Sequence, residues 1–97
     1  MYARVITAQV QPGKVEEAIG IYKNSVVPAV QQQKGCKGIS LLVDRNTGKG
    51  MSIVMWETEA DMIAGEKSGW LREQIGKMAS TFAAPPVTEH CEVSVHV

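Results

Sequence analysis

An α+β domain with one antiparallel sheet is what the sequence predicts, on three observations. The apolar periodicity alternates between two residues and three to four residues in the order β-α-β-β-α-β. Proline and glycine stand where the period changes, at Pro12-Gly13, Gly35, Gly48, Gly50 and Pro85-Pro86. A chain of 97 residues with 44% hydrophobic content supports one core, so residues 1–97 read as a single domain.

From Met1 to Gln11, Tyr2, Ile6 and Val10 share one parity with Arg4 and Ala8, while Ala3 and Val5 share the other with Thr7 and Gln9. That alternation predicts the first strand, and Pro12-Gly13 stops it. From Lys14 the period is helical: Val15, Ala18, Ile19, Tyr22, Val26, Ala29 and Val30 form a stripe, with Glu16 and Glu17 near its N-terminus. Pro28 conflicts with this helix, because it removes a hydrogen bond to residue 24 and clashes with that carbonyl. A kink or short irregular turn is expected there, with the helix resuming toward Gln33 and Gly35 as its C-terminal cap.

Gly38 to Asp44 contains Ile39, Leu41, Leu42 and Val43, and Met51 to Trp56 answers it across the turn Arg45 to Gly50. Both faces of this hairpin are apolar. Helices can cover one, so a second covering surface is required. Thr58 opens the next helix as an N-cap, with Gly65 near its end. Ser68 caps the one that follows, along which Leu71, Ile75, Met78, Ala79 and Phe82 face inward. The terminal stretch Val87 to Val97 alternates again: Val87, Cys91, Val93, Val95 and Val97, with Glu89 as the exception, oppose Thr88, His90, Glu92, Ser94 and His96. It reads as one long strand that needs a neighbour in its own sheet or a partner's. This order is that of the ferredoxin-like split βαβ fold, a four-stranded antiparallel sheet with helices on one face.

Ten basic and ten acidic side chains cancel, which removes the positive field a nucleic-acid binder needs. The balance is uneven: residues 1–49 carry seven basic and three acidic groups, the remainder three and seven. Such asymmetry helps two copies meet. A mean hydropathy of −0.06 and the lack of a long apolar run point to a soluble, cytoplasmic protein without membrane contact. Cys36 and Cys91 are too few for a disulfide framework and read as small buried hydrophobes. There is no dinucleotide, phosphate-loop or zinc signature, so no cofactor and no metal are expected.

Several local patterns coincide: the early strand followed by Pro12-Gly13-Lys14, Val27-Pro28-Ala29 before Gly35 and Gly38, the Leu41-Leu42 strand with its polar turn, and Val54 to Thr58 with Trp56 leading into a helix. In these the chain resembles the dimeric α+β barrel superfamily, and within it the antibiotic-biosynthesis-monooxygenase-like domains. That group also includes cofactor-free quinol-forming monooxygenases and small haem-degrading enzymes. The resemblance implies a homodimer whose two sheets meet as a barrel. It also implies a pocket between sheet and helices, with Trp56, Met62, Trp70 and Phe82 lining or closing it around a hydrophobic or aromatic small molecule. Where such relatives place an asparagine on the first strand, this chain has Thr7-Ala8. Where many place a histidine after the tryptophan strand, it has Ala64, Gly65, Glu66 and, further on, Ile75.

Candidate chemistry therefore comes from this chain's own polar set. His90 and His96 lie six residues apart, roughly 20 Å along a strand, too far for one metal ion. His90 and Glu92 share a face, and Arg4 joins them if the first and last strands are neighbours; together they are the catalytic candidates, able to hold an anionic or enolised substrate. A salt-bridged strand pair is the plainer reading of the same residues. Two functions follow: an oxygenase-like enzyme for an aromatic or polyketide-like substrate, or a non-catalytic ligand-binding or homodimeric assembly module. An open cavity lined by at least two of Arg4, His90 and Glu92 would favour the enzyme, and a solidly packed interior with those groups facing solvent would exclude it.

Overall fold

The computed structural model describes all residues Met1–Val97. Strands β1 (Tyr2–Gln9), β2 (Cys36–Asp44), β3 (Lys49–Trp56) and β4 (Val87–Glu92) form one antiparallel sheet in the order β2-β3-β1-β4. The expected fold class is the observed one. Central β1 pairs Arg4 with Val54 on one side and with His90 on the other, so these three side chains emerge on the same face.

Helices α1 (Val15–Ile21), α2 (Val27–Gln31), α3 (Glu59–Lys67) and α4 (Trp70–Met78) all pack on that face. The core between the layers holds Val54, Trp56, Met62, Tyr22 and Val30. The conflict at Pro28 is resolved upstream of the proline. Residues Tyr22–Val26 form a π-turn, in which the Val27 N–H reaches back five residues to the Tyr22 carbonyl. Pro28 then falls in the first turn of α2, where a missing N–H costs nothing. The helix closes at Gln31 rather than Gln33, and Gly35, with φ +83°, shapes the following turn.

Thr58 caps α3 as expected, its Oγ1 accepting the Asp61 N–H at 3.1 Å. The helix runs two residues past Gly65. Gly69, at φ +83°, takes the N-cap place of α4, while Ser68 Oγ accepts the Trp70 N–H at 3.3 Å.

The terminal strand is shorter than its alternation suggests. Pairing with β1 ends at Glu92 opposite Tyr2. One further bond, from the Val93 N–H to the Met1 carbonyl, follows, and Val95 and Val97 are exposed. The second face of the sheet carries Val5, Leu42, Met51, Ile53, Met55 and Val87, with no helix over it. Leu42 is 51% and Val87 60% exposed. Cys91 also lies on this side and is exposed, against its expected burial; Cys36 is partly buried. No helix is long and apolar enough to cross a membrane.

Candidate functional site

Arg4 is the centre of the polar end of the helix-covered face. A mid-strand position on β1 turns its side chain under α3, where it is 2% exposed. Burial lowers the guanidinium pKa, and the nearby Glu66 carboxylate raises it again. Three contacts compensate the buried charge. Nη2 donates to the Met62 carbonyl at 2.9 Å, the guanidinium lies 5.2 Å over the Trp56 ring, and Nε is 3.5 Å from Glu66 Oε2. Glu66 follows Met62 by four residues on α3, which puts both on one side of the helix.

Glu66 also takes the place expected of Glu92. Its two carboxylate oxygens lie 3.0 and 2.8 Å from His90 Nε2, so Arg4, Glu66 and His90 form a chain of contacts from core to surface. Glu92 does not join it: it is exposed and accepts instead from Ser94 Oγ at 3.2 Å. The reason is geometric. Glu92 stands two residues beyond His90, at the end of β4. His96 lies outside the strand altogether.

A narrow cavity of about 90 Å³ runs between the sheet and the helices. Of its 22 lining residues 18 are hydrophobic, so the wall is suited to an apolar ligand. Trp56, Trp70 and Phe82 line it. Met62 does not; it is packed at 1% exposure in the core beside it. Of the three catalytic candidates only Arg4 reaches the cavity, while His90 and Glu92 stay outside.

Polar groups meet the cavity at two places. Two residues of the wall, Arg4 and Trp56, hold buried nitrogens, Nε and Nε1, that make no hydrogen bond. Such donors carry a desolvation cost that an incoming acceptor would recover. Gly65 permits this packing, since a Cβ there would fall 2.9 Å from Trp70 Cε3. Also on the wall, the Tyr22 hydroxyl and Ser52 Oγ are 2.6 Å apart, joining the helical layer to β3. Burial raises the Tyr22 pKa above the ordinary tyrosine value, partly offset by the bond to Ser52, so the phenol is a neutral donor.

The sequence reading passes over Tyr22, Ser52, Gln74 and Glu66 as site residues. Tyr22 sits in a helical stripe that periodicity assigns to the core, and Glu66 looks like one more surface charge. Gln74 is 5% exposed at the cavity wall, and its spacing of three from Leu71 on an inward stripe was the available signal.

The antibiotic biosynthesis monooxygenase family model matches residues 1–73. The uncharacterized protein Rv2557 of Mycobacterium tuberculosis is 35% identical over 98 residues, covering 97% of this chain and 41% of that protein. The uncharacterized protein Rv2558 of the same organism is 34% identical over 96 residues, covering 98% of this chain and 39% of that protein. The chain thus spans about two fifths of the length of the curated relatives it matches. Among solved structures, SnoaB, a cofactor-independent oxygenase from Streptomyces nogalater, superposes with a TM-score of 0.80 at 13% identity, over 99% of this chain and 95% of that one. The ActVA-Orf6 monooxygenase of Streptomyces coelicolor, in complex with nanaomycin D, superposes with a TM-score of 0.76 at 16% identity, over 99% and 89%. At these identities the two structures show a shared fold.

Proposed function

The chain belongs to the antibiotic biosynthesis monooxygenase family, and on that premise we propose that it is an oxygenase-like enzyme acting, as a homodimer, on a small aromatic or polyketide-like molecule in the cavity. The observation that carries the proposal is an apolar cavity whose wall includes Arg4 and Trp56, each with a buried nitrogen, Nε and Nε1, that makes no hydrogen bond. A cofactor-free oxygenase must stabilise a substrate anion before oxygen reacts. Donors already fixed where negative charge develops do this without reorganisation. Arg4 supplies charge and Trp56 a neutral N–H, while Trp70 and Phe82 supply apolar surface. The Tyr22 and Ser52 hydroxyls are further donors to a substrate oxygen. The fold relative solved in complex with nanaomycin D supports a small-molecule ligand. The uncovered apolar face of the sheet supports the homodimer.

A second reading, a non-catalytic ligand-binding module on the same scaffold, is favoured by one specific observation. The Arg4 charge is already paired with Glu66, and His90 stands outside the cavity as a possible base without a substrate. Oxygen uptake with a panel of enolisable hydroxynaphthalenes separates the two. The enzyme predicts saturable uptake that Arg4→Met lowers at least about tenfold in kcat/KM with the fold retained. Saturable binding without uptake gives the second reading, and absence of binding removes both.

A further inference from the structure

The cavity of about 90 Å³ is small against the roughly 300–1,000 Å³ of ordinary ligand sites. Beside it, between the α1–α2 layer and the edge strand β2, lies an open groove of about 540 Å³. The two share Ile19, Tyr22, Leu41 and Val43 as walls, so a single layer of side chains separates them. Of these four only Tyr22 is tied across the gap, through its bond to Ser52 on β3. Tyr22 also begins the π-turn, a local irregularity that loosens helical register and recurs at functional positions. Because β2 is a sheet edge, no further strand of the chain blocks the groove.

The rim is cationic. Lys23, the next residue on the π-turn, lines the groove and is exposed, and it forms no ion pair. Arg45 lines it too but is engaged by Glu16. We propose that this groove is the way into the cavity, that Tyr22 is its gate, and that the ligand carries an anionic group held by Lys23 while its apolar body passes inward. The inference rests on the reading of the cavity as a ligand site and adds the ligand's charge, its orientation and its route. Breaking the Tyr22–Ser52 bond lets the ring swing aside and joins groove and cavity into one space of ordinary ligand-site size.

Two fluorescent probes test this: the anionic 8-anilinonaphthalene-1-sulfonate and the neutral N-phenyl-1-naphthylamine. Both are expected to bind the full chain saturably, one per chain. Lys23→Gln weakens the sulfonate by about three- to tenfold and leaves the neutral probe unchanged. Tyr22→Phe and Ser52→Ala each remove the latch from a different side and speed stopped-flow association of both probes by about fivefold. Thermal melting by circular dichroism checks that each variant is folded. If Lys23→Gln moves both probes or neither, the anionic anchor is wrong. If neither latch variant changes the association rate, the gate is wrong while the cavity reading stands. No saturable binding by the unaltered protein overturns the cavity reading and this inference with it.

Discussion

The two faces of the sheet meet opposite fates. On the helix-covered face even a charge is answered inside the chain: Arg4 finds a carbonyl, an indole and a carboxylate. On the other face Val5, Leu42, Met51, Ile53 and Met55 are simple hydrophobes, and nothing in the chain covers them. A buried polar cluster beside a bare apolar surface reverses the usual arrangement of a small monomer. The covered face is packed within one chain; the bare one is left open by it.

The largest effect on this comparison is expected from Arg4. Arg4→Ala removes the Met62 bond and the packing on Trp56, leaves a void under α3 and leaves Glu66 with His90 alone, costing about 3 kcal/mol of stability by urea denaturation. Arg4→Met keeps the stem packing and should lose clearly less. A loss below about 1 kcal/mol for Arg4→Ala would mean the covered face is not held by its polar cluster.

The bare face gives the next largest effect. Ile53→Glu lies opposite Val5 at the sheet centre, so a second copy must desolvate the new charge. Association should weaken about a hundredfold in sedimentation equilibrium, with the fold kept by circular dichroism. If the unaltered chain already sediments as a monomer at micromolar concentration, the asymmetry between faces has another explanation.

This contrast also marks what could be read from residues alone. Period-two alternation in β1 and the two-sided apolar hairpin gave the sheet and its unfilled face, because side-chain direction in a strand is fixed by parity. Thr58 as a cap was legible since its partner is only three residues away. What parity cannot supply is the reach of a neighbouring helix. His90 and Glu92 have the same parity, yet only His90 lies under α3, and only the folded chain brings Glu66 to it. The π-turn was equally hidden. Pro28 announced an irregularity, but its placement before the proline follows from the backbone's need to shift register first.

A smaller effect concerns the latch inside the covered face. Tyr22→Phe leaves Ser52 Oγ without its partner and should cost about 1 kcal/mol at pH 7. Its pH dependence is more telling. The folded chain holds the Tyr22 proton more tightly than the unfolded chain, so this contribution is fully present below the unfolded pKa of about 10. It is lost as pH rises through the higher folded value. Melting temperatures measured from pH 9 upward should therefore fall more steeply for the unaltered protein than for Tyr22→Phe. Parallel curves would show that Tyr22 does not titrate in its buried place.

The smallest effect is expected at the outer end of the polar chain, and it sharpens the comparison by showing where the covered face stops. His90 contacts the same carboxylate as Arg4, but its side chain is 41% exposed against 2% for Arg4. Water competes for its bond to Glu66, so His90→Gln should cost about 0.5 kcal/mol or less in urea denaturation. A double cycle with Glu66→Gln measures the pair directly. If the coupling instead approaches that of the Arg4–Glu66 pair, the three residues act as one unit. The outer edge of α3 is then fixed by the surface histidine as firmly as by the buried arginine.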